Sequence, residues 1–76
     1  MESLVTRNLP DFTPRESDVL YLLAQAYTRK KICNELNIRE RTVHSHMYSI
    51  SKKAGLHSHV ELIAFAQVNG YGKIEE

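Results

Sequence analysis

Apolar residues recur along this chain at steps of three and four, the spacing of helices buried on one side. The first run is Val19, Leu20, Leu22, Leu23 and Ala26, and Thr13-Pro14-Arg15-Glu16 stands before it. Threonine caps a helix with its hydroxyl, proline suits the first helical position, and glutamate three residues on closes a capping box. The pattern predicts a helix over about 14–26, with a core-facing stripe. Thr28 is the next cap. Ile32, Cys33 and Leu36 then form the apolar face of a short helix over 29–36. Asn37 follows where a left-handed turn residue is wanted, and asparagine is the usual substitute for glycine there.

A third helix is predicted over 40–54, with Val43, Met47, Ile50 and Ala54 on its buried side. Its other side carries Arg41, His44, Ser45, Tyr48, Ser49 and Lys52. Gly55 suits its C-terminal cap, Lys52 and Lys53 complement the dipole of its last turn, and Leu56 can close the hydrophobic contact. Ser58-His59-Val60-Glu61 is a second capping box, opening a fourth helix over about 59–69. That helix is apolar nearly all round: Val60, Leu62, Ile63, Ala64, Phe65, Ala66 and Val68. One such face can pack on a small core, and the other needs a further partner.

The expected fold is all-α, a four-helix domain over residues 13–69. Residues 1–12 contain Pro10 and no clear period. Leu4, Val5, Leu9 and Phe12 either lie on the core as an extended arm or belong to a frayed end. Residues 70–76 read as a frayed polar tail. No strand alternation, internal repeat or low-complexity tract is visible.

Composition changes this picture little. Seventy-six residues make one domain with a small core. Cys33 is the only cysteine, so no intramolecular disulfide forms, and a reducing cytoplasm is the expected setting. No window approaches 18 consecutive apolar residues, so no membrane span is expected. The first residues lack the basic start and apolar run of a signal peptide.

Charge changes it more. Net charge is +1, but residues 28–54 hold seven basic residues against two acidic ones, a local net of +5. The flanking segments, 1–27 and 55–76, each carry −2. A polyanion partner fits that asymmetry, and so does a solvated polar face.

The stretch from Arg29 to Ala54 then fits a helix-turn-helix. Ile32 and Cys33 fall where an aliphatic and a small residue let two helices cross, Asn37 at the turn, and Ile38 and Val43 at the packing positions beyond it. The pattern leaves the polar face of the second helix free for a major groove.

On top of that pattern, the chain resembles the DNA-binding domain of the LuxR/GerE family of bacterial transcription regulators over about residues 12–66. The matching residues are Thr13-Pro14-Arg15-Glu16, Val19-Leu20, Leu23-Ala24, Lys30, Ile32, Leu36 and Ile38. They continue through Glu40-Arg41-Thr42-Val43, His46, Ile50, Lys53, Gly55, Glu61 and Ala66. The resemblance implies a four-helix domain whose second and third helices read DNA, and whose fourth often mediates dimerisation. Family members commonly carry this domain behind a receiver or ligand-sensing domain; 76 residues leave no room for one, so the chain, taken as complete, is expected to be similar to the minority that consist of the DNA-binding domain alone, as GerE does. Four positions depart from the family's habit: Ala26 stands where glycine is usual, Lys31 where acid is common, Arg39 where serine or threonine caps, and Ser58 where a basic residue is common.

By the same resemblance, His44, Ser45 and Tyr48 face the groove and read bases. Arg29, Lys30, Arg39, Arg41, Thr42, Lys52 and Lys53 are the candidates for phosphate contacts, which position without reading sequence. Val60, Ala64, Gln67 and Val68 are the candidate dimer surface. Neutral histidine makes one bond to a base edge and cannot fork onto guanine as arginine does, so modest sequence specificity is expected.

No metal or cofactor is expected. His44 and His46 are two apart on a helix, so they point in different directions. His57 and His59 have no carboxylate or thiol ligands close in sequence. Cys33 reads as a small buried side chain rather than a nucleophile. No nucleophile–base constellation or glycine-rich phosphate loop is present, so the chain does not read as an enzyme. The expected function is a homodimeric regulator of transcription on double-stranded DNA, with a palindromic or direct-repeat site. The alternative is a protein-interaction module whose fourth helix binds and modulates another regulator.

Overall fold

The computed structural model describes residues 11–71, which hold four helices: α1 (Pro14–Ala24), α2 (Arg29–Leu36), α3 (Glu40–Ala54) and α4 (His59–Val68). No strand occurs among the described residues. The predicted arm positions Leu4, Val5 and Leu9, and the tail after Tyr71, lie outside the described residues.

α1 is the hub, packing against α2, α3 and α4, while α2 also packs on α3. It contributes Val19, Leu20, Leu22 and Leu23 to the core, three of them with no exposed surface. Ile32 enters from α2, and Val43, Met47 and Ile50 from α3. Leu56 and then Leu62, Phe65 and Ala66 of α4 close the far side. Cys33 is a half-buried free thiol packed on this core.

Three helices begin with a hydroxyl cap. Thr13 accepts from the Glu16 N–H at 3.1 Å while the Glu16 carboxylate accepts from the Thr13 N–H at 3.0 Å, a complete capping box. The Thr28 hydroxyl accepts from the Lys31 N–H at 3.1 Å. The Ser58 hydroxyl accepts from the Glu61 N–H, also at 3.1 Å. The return bond at α4 departs from the expected box, because the Glu61 carboxylate accepts from the His57 N–H at 2.7 Å, one residue earlier. At α3 the cap residue is Arg39, which makes no side-chain cap bond.

All four helices end in one way. A residue with positive φ is followed by an apolar residue whose N–H returns to the carbonyl five positions back. The left-handed residues are Ala26 (φ 66°), Asn37 (φ 56°), Gly55 (φ 71°) and Gly70 (φ 81°). The returning bonds run from Tyr27 to Leu22 (3.1 Å), Ile38 to Cys33 (3.1 Å), Leu56 to Ser51 (2.9 Å) and Tyr71 to Ala66 (2.9 Å). These bonds satisfy carbonyls that a helix end leaves orphaned, and each apolar residue packs back onto the core. A Cβ at Gly55 would meet nothing within 4 Å, so conformation rather than space calls for glycine there.

Two boundaries differ from expectation. Helix α1 stops at Ala24, and Ala26 is an exposed left-handed residue rather than part of the apolar stripe. The chain must reverse before α2, and this requirement overrides alanine's preference for the helix. Helix α4 ends at Val68, with Asn69 as its cap and its amide donating to the Phe65 carbonyl at 2.9 Å.

Packing also reaches residues on either side of 13–69. The Phe12 ring meets Phe65 edge-on at 6.1 Å and Tyr71 at 6.2 Å, while Phe65 and Tyr71 stack at 6.3 Å. This aromatic trio joins the two ends of the described chain over α4. Burial pushes the pKa of the Tyr71 hydroxyl up.

A buried ion pair completes the frame. Glu16 is only 4% exposed, and its carboxylate accepts from the Lys53 ammonium at 2.7 Å. Lys53 also donates to the Asp11 carbonyl at 3.0 Å and stands 5.8 Å from the Phe12 ring centre. Desolvation pushes the Glu16 carboxyl up, but hydrogen bonds from Lys53, Ser49 and the Thr13 backbone outweigh it. Its pKa falls from an ordinary 4.5 to about 2. Ser49 is therefore half-buried against Glu16, rather than part of the polar outer face.

Two predictions follow from these features. Ala26→Gly relieves the left-handed alanine and should stabilise the fold by about 1 kcal/mol, or about 4–8 °C in a thermal melt. A melting temperature that stays level or falls would refute this. Because the Glu16 pKa is lower in the folded chain, its contribution is full above about pH 4.5 and is lost as pH falls towards 2. Glu16→Gln should cost on the order of 2 kcal/mol at neutral pH, a figure reduced for solvent around the one-third exposed Lys53. It should also flatten the pH dependence of urea unfolding between those limits.

Candidate nucleic-acid interface

The face of α3 turned away from the core presents Arg41, His44, Ser45, Tyr48 and Lys52, all exposed. Arg41, His44, Tyr48 and Lys52 follow at steps of three, four and four, and Ser45 lies four after Arg41 and three before Tyr48, so all five share one side of the helix. Tyr48 stands out, with an aromatic side chain left 61% exposed. The Lys52 ammonium lies 5.7 Å from its ring centre, one turn along. The middle of this face, from His44 to Tyr48, carries no lysine or arginine.

A groove runs along the same face. Its walls are Thr28 and Arg29 at the start of α2, His44, Tyr48, Ser51 and Lys52 of α3, and His57-Ser58-His59 at the start of α4. Met47, Leu56 and Leu62, all nearly buried, form its floor. The starts of α2 and α4 thus flank the outer face of α3.

The other basic residues divide into two groups. Lys30 and Arg39 are exposed like Arg41, and the neutral Thr42, also a candidate for phosphate contact, is half-buried. Arg29 is exposed too, with its Nε 4.0 Å from the Glu40 carboxylate. An exposed pair of that length adds little stability, so a phosphate can compete for the guanidinium. No side chain caps α3, and the Thr42 and Val43 N–H groups both return to the Arg39 carbonyl. Lys53 behaves differently: its ammonium is held by Glu16 and the Asp11 carbonyl, so it ties α3 to the start of α1. Lys31 stands 4.8 Å from the Tyr27 ring centre.

On α4, Val60 is 74% and Val68 48% exposed, and Ala64 between them is half-buried. They form a stripe at steps of four. Gln67 is also exposed, but its amide donates to the Ala24 carbonyl at 3.1 Å, capping the end of α1.

Helical spacing in the sequence did not bring His57 and His59 to the groove beside His44, because spacing relates residues within one helix only. The Glu16–Lys53 pair was also missed. A signal for half of it existed: Glu16 falls three, four and seven residues before Val19, Leu20 and Leu23, on the buried stripe. Among the described residues, no group of three His, Cys, Asp or Glu side chains is arranged to hold a metal ion. None of their helices is long and apolar enough to cross a membrane.

The family described as bacterial regulatory proteins, luxR family (GerE), matches residues 10–66, most of the chain. This chain belongs to the LuxR family. Within the family's domain, α2 and α3 are the helix-turn-helix. The chain is 44% identical over 54 residues to the uncharacterized response regulatory protein YgeK of Escherichia coli, covering 71% of this chain and 37% of that protein. It is 44% identical over 55 residues to the nitrate/nitrite response regulator protein NarL of Escherichia coli, covering 72% and 26%. It is 42% identical over 53 residues to the fimbriae Z protein of Salmonella typhimurium, covering 70% and 25%. This LuxR-family chain therefore spans little more than a third of such relatives at most. The family is one of regulatory proteins rather than enzymes.

Arg39 separates stability from charge in this domain. Arg39→Ser should supply the missing cap and stabilise the fold by about 1 kcal/mol in a denaturant melt. If its guanidinium meets a phosphate, the same change should lower the salt slope of DNA binding by about 1.

Proposed function

We propose that this LuxR-family domain binds double-stranded DNA and regulates transcription, with α3 lying in the major groove. The observation that carries this reading is the exposed face of α3, His44, Ser45 and Tyr48, lying within a segment of net charge +5. Backbone charge holds the duplex. Side chains at the middle of the helix meet the base edges. Arg29, Lys30, Arg39, Arg41, Thr42 and Lys52 border that face and contact phosphates. Lys53 contributes by fixing the end of α3 against α1 rather than by direct contact.

The stripe of Val60, Ala64 and Val68 supports a homodimer formed through α4, on a palindromic or direct-repeat site. A copy of this chain is its simplest cover, because a closed pair buries the same apolar patch twice. The alternative occupant of that stripe is another regulator, which this domain would modulate. Such a protein works in the bacterial cytoplasm, at the nucleoid when bound to DNA.

Gel-shift titration against a random duplex pool at two salt concentrations tests the reading. Affinity should fall steeply with salt, and Lys30→Glu should weaken binding to all sequences alike and lower the salt slope by about 1 or more. The size of the shifted complex reports one copy or two. Salt-independent binding, or an unaltered Lys30→Glu variant, would count against it.

A further inference from the structure

The groove-facing residues of α3 differ in how much chemistry they can bring to a base edge. Ser45 is short, and neutral His44 offers a single bond. Tyr48 is the large one, and the residue is left 61% exposed at the middle of the outer face. Burying an aromatic ring is favourable and leaving it in water is not, so an exposed ring on a working face calls for an apolar surface to meet. The ring has one close neighbour on its own helix. Lys52 lies over it at 5.7 Å, and the groove floor beneath that side of α3 is made by Met47, Leu56 and Leu62.

Double-stranded DNA shows one apolar group at the edges of its bases in the major groove, the 5-methyl of thymine. Guanine is read best by a forked guanidinium or by an ammonium, and neither occurs between His44 and Tyr48. We infer that Tyr48 is a specificity-determining residue that packs its ring on a pyrimidine 5-methyl group, so that this domain selects thymine at the base pair it faces. The inference rests on the DNA-binding reading above and adds the chemistry of what is read.

The test replaces thymine by deoxyuridine, which removes the methyl group and keeps every hydrogen-bonding atom of the base. A site selected from random duplexes by the full chain is resynthesised with deoxyuridine at one thymine position at a time. For the wild-type chain, one position per half-site should lose about fourfold in affinity, the effect of burying one methyl group. Tyr48→Phe should keep that sensitivity, whereas Tyr48→Ala should bind both duplexes equally. Restoring the methyl as 5-methylcytosine paired with guanine, in place of an unmethylated cytosine at that position, should recover part of the affinity for wild type only. If the wild-type chain binds its selected site and tolerates deoxyuridine everywhere, the inference fails and the DNA-binding reading stands. If Tyr48→Phe loses discrimination as fully as Tyr48→Ala, a phenol hydrogen bond replaces the methyl contact and the inference also fails. A chain that binds no duplex at low salt overturns both.

Discussion

Everything in this domain leans on one face of α1. Val19, Leu20 and Leu23 are fully enclosed, and α2, α3 and α4 each pack against that helix. A chain of this size has little apolar area to spare, so its stability concentrates on one shared surface instead of being spread among independent contacts. The ion pair between Glu16 and Lys53 belongs to the same arrangement. It fixes the first turn of α1 to the last turn of α3, on the side where apolar packing gives way to solvent. A buried carboxylate is costly unless its charge is matched. Here Lys53, Ser49 and the Thr13 N–H match it, and among the described residues no buried side-chain oxygen or nitrogen lacks a partner.

This arrangement separates the supporting side of α3 from the side proposed to meet DNA. The core side of α3 is held by Val43, Met47 and Ile50, and its end by Lys53. The outer side carries no structural duty apart from the contact between Lys52 and Tyr48. His44 and Ser45 are exposed and outside the core, so a substitution there should leave the fold intact. The uncapped start of α3 fits this division, since Arg39 gives up a local hydrogen bond and leaves a positive charge at the rim.

Much of this was legible in the sequence, and the limits are physical. Helices α2 and α3 have the ends that spacing, Thr28, Asn37 and Gly55 indicated. Those are local signals, formed within a few residues. Ala26 was misplaced because alanine is the strongest helix former, and nothing local announces that it must turn left-handed. Gly70 ends α4 with the same reversal, in the residue type that makes it readable. Long-range partners were harder. Glu16 and Lys53 are 37 positions apart, and Gln67 reaches 43 positions back to the Ala24 carbonyl. Periodicity says which side of a helix is wet, but not which side chain across the core receives a charge or an amide. The groove that joins His44 to His57 and His59 was hidden for the same reason.

The shared helix ending has a consequence for how such a chain can change. Between the left-handed residue and the next cap there is almost no slack: Asn37 is followed by Ile38, which packs on the core, and then by Arg39, which starts α3. One residue inserted there would either expel Ile38 or turn α3 by about 100° about its own axis. The first would cost core packing, and the second would carry His44, Ser45 and Tyr48 off the exposed side together. The joint therefore works as the index mark that sets which side of α3 faces outward. Its length is as much a part of the proposed DNA-binding face as the side chains on it, and variation in length has to be accommodated elsewhere.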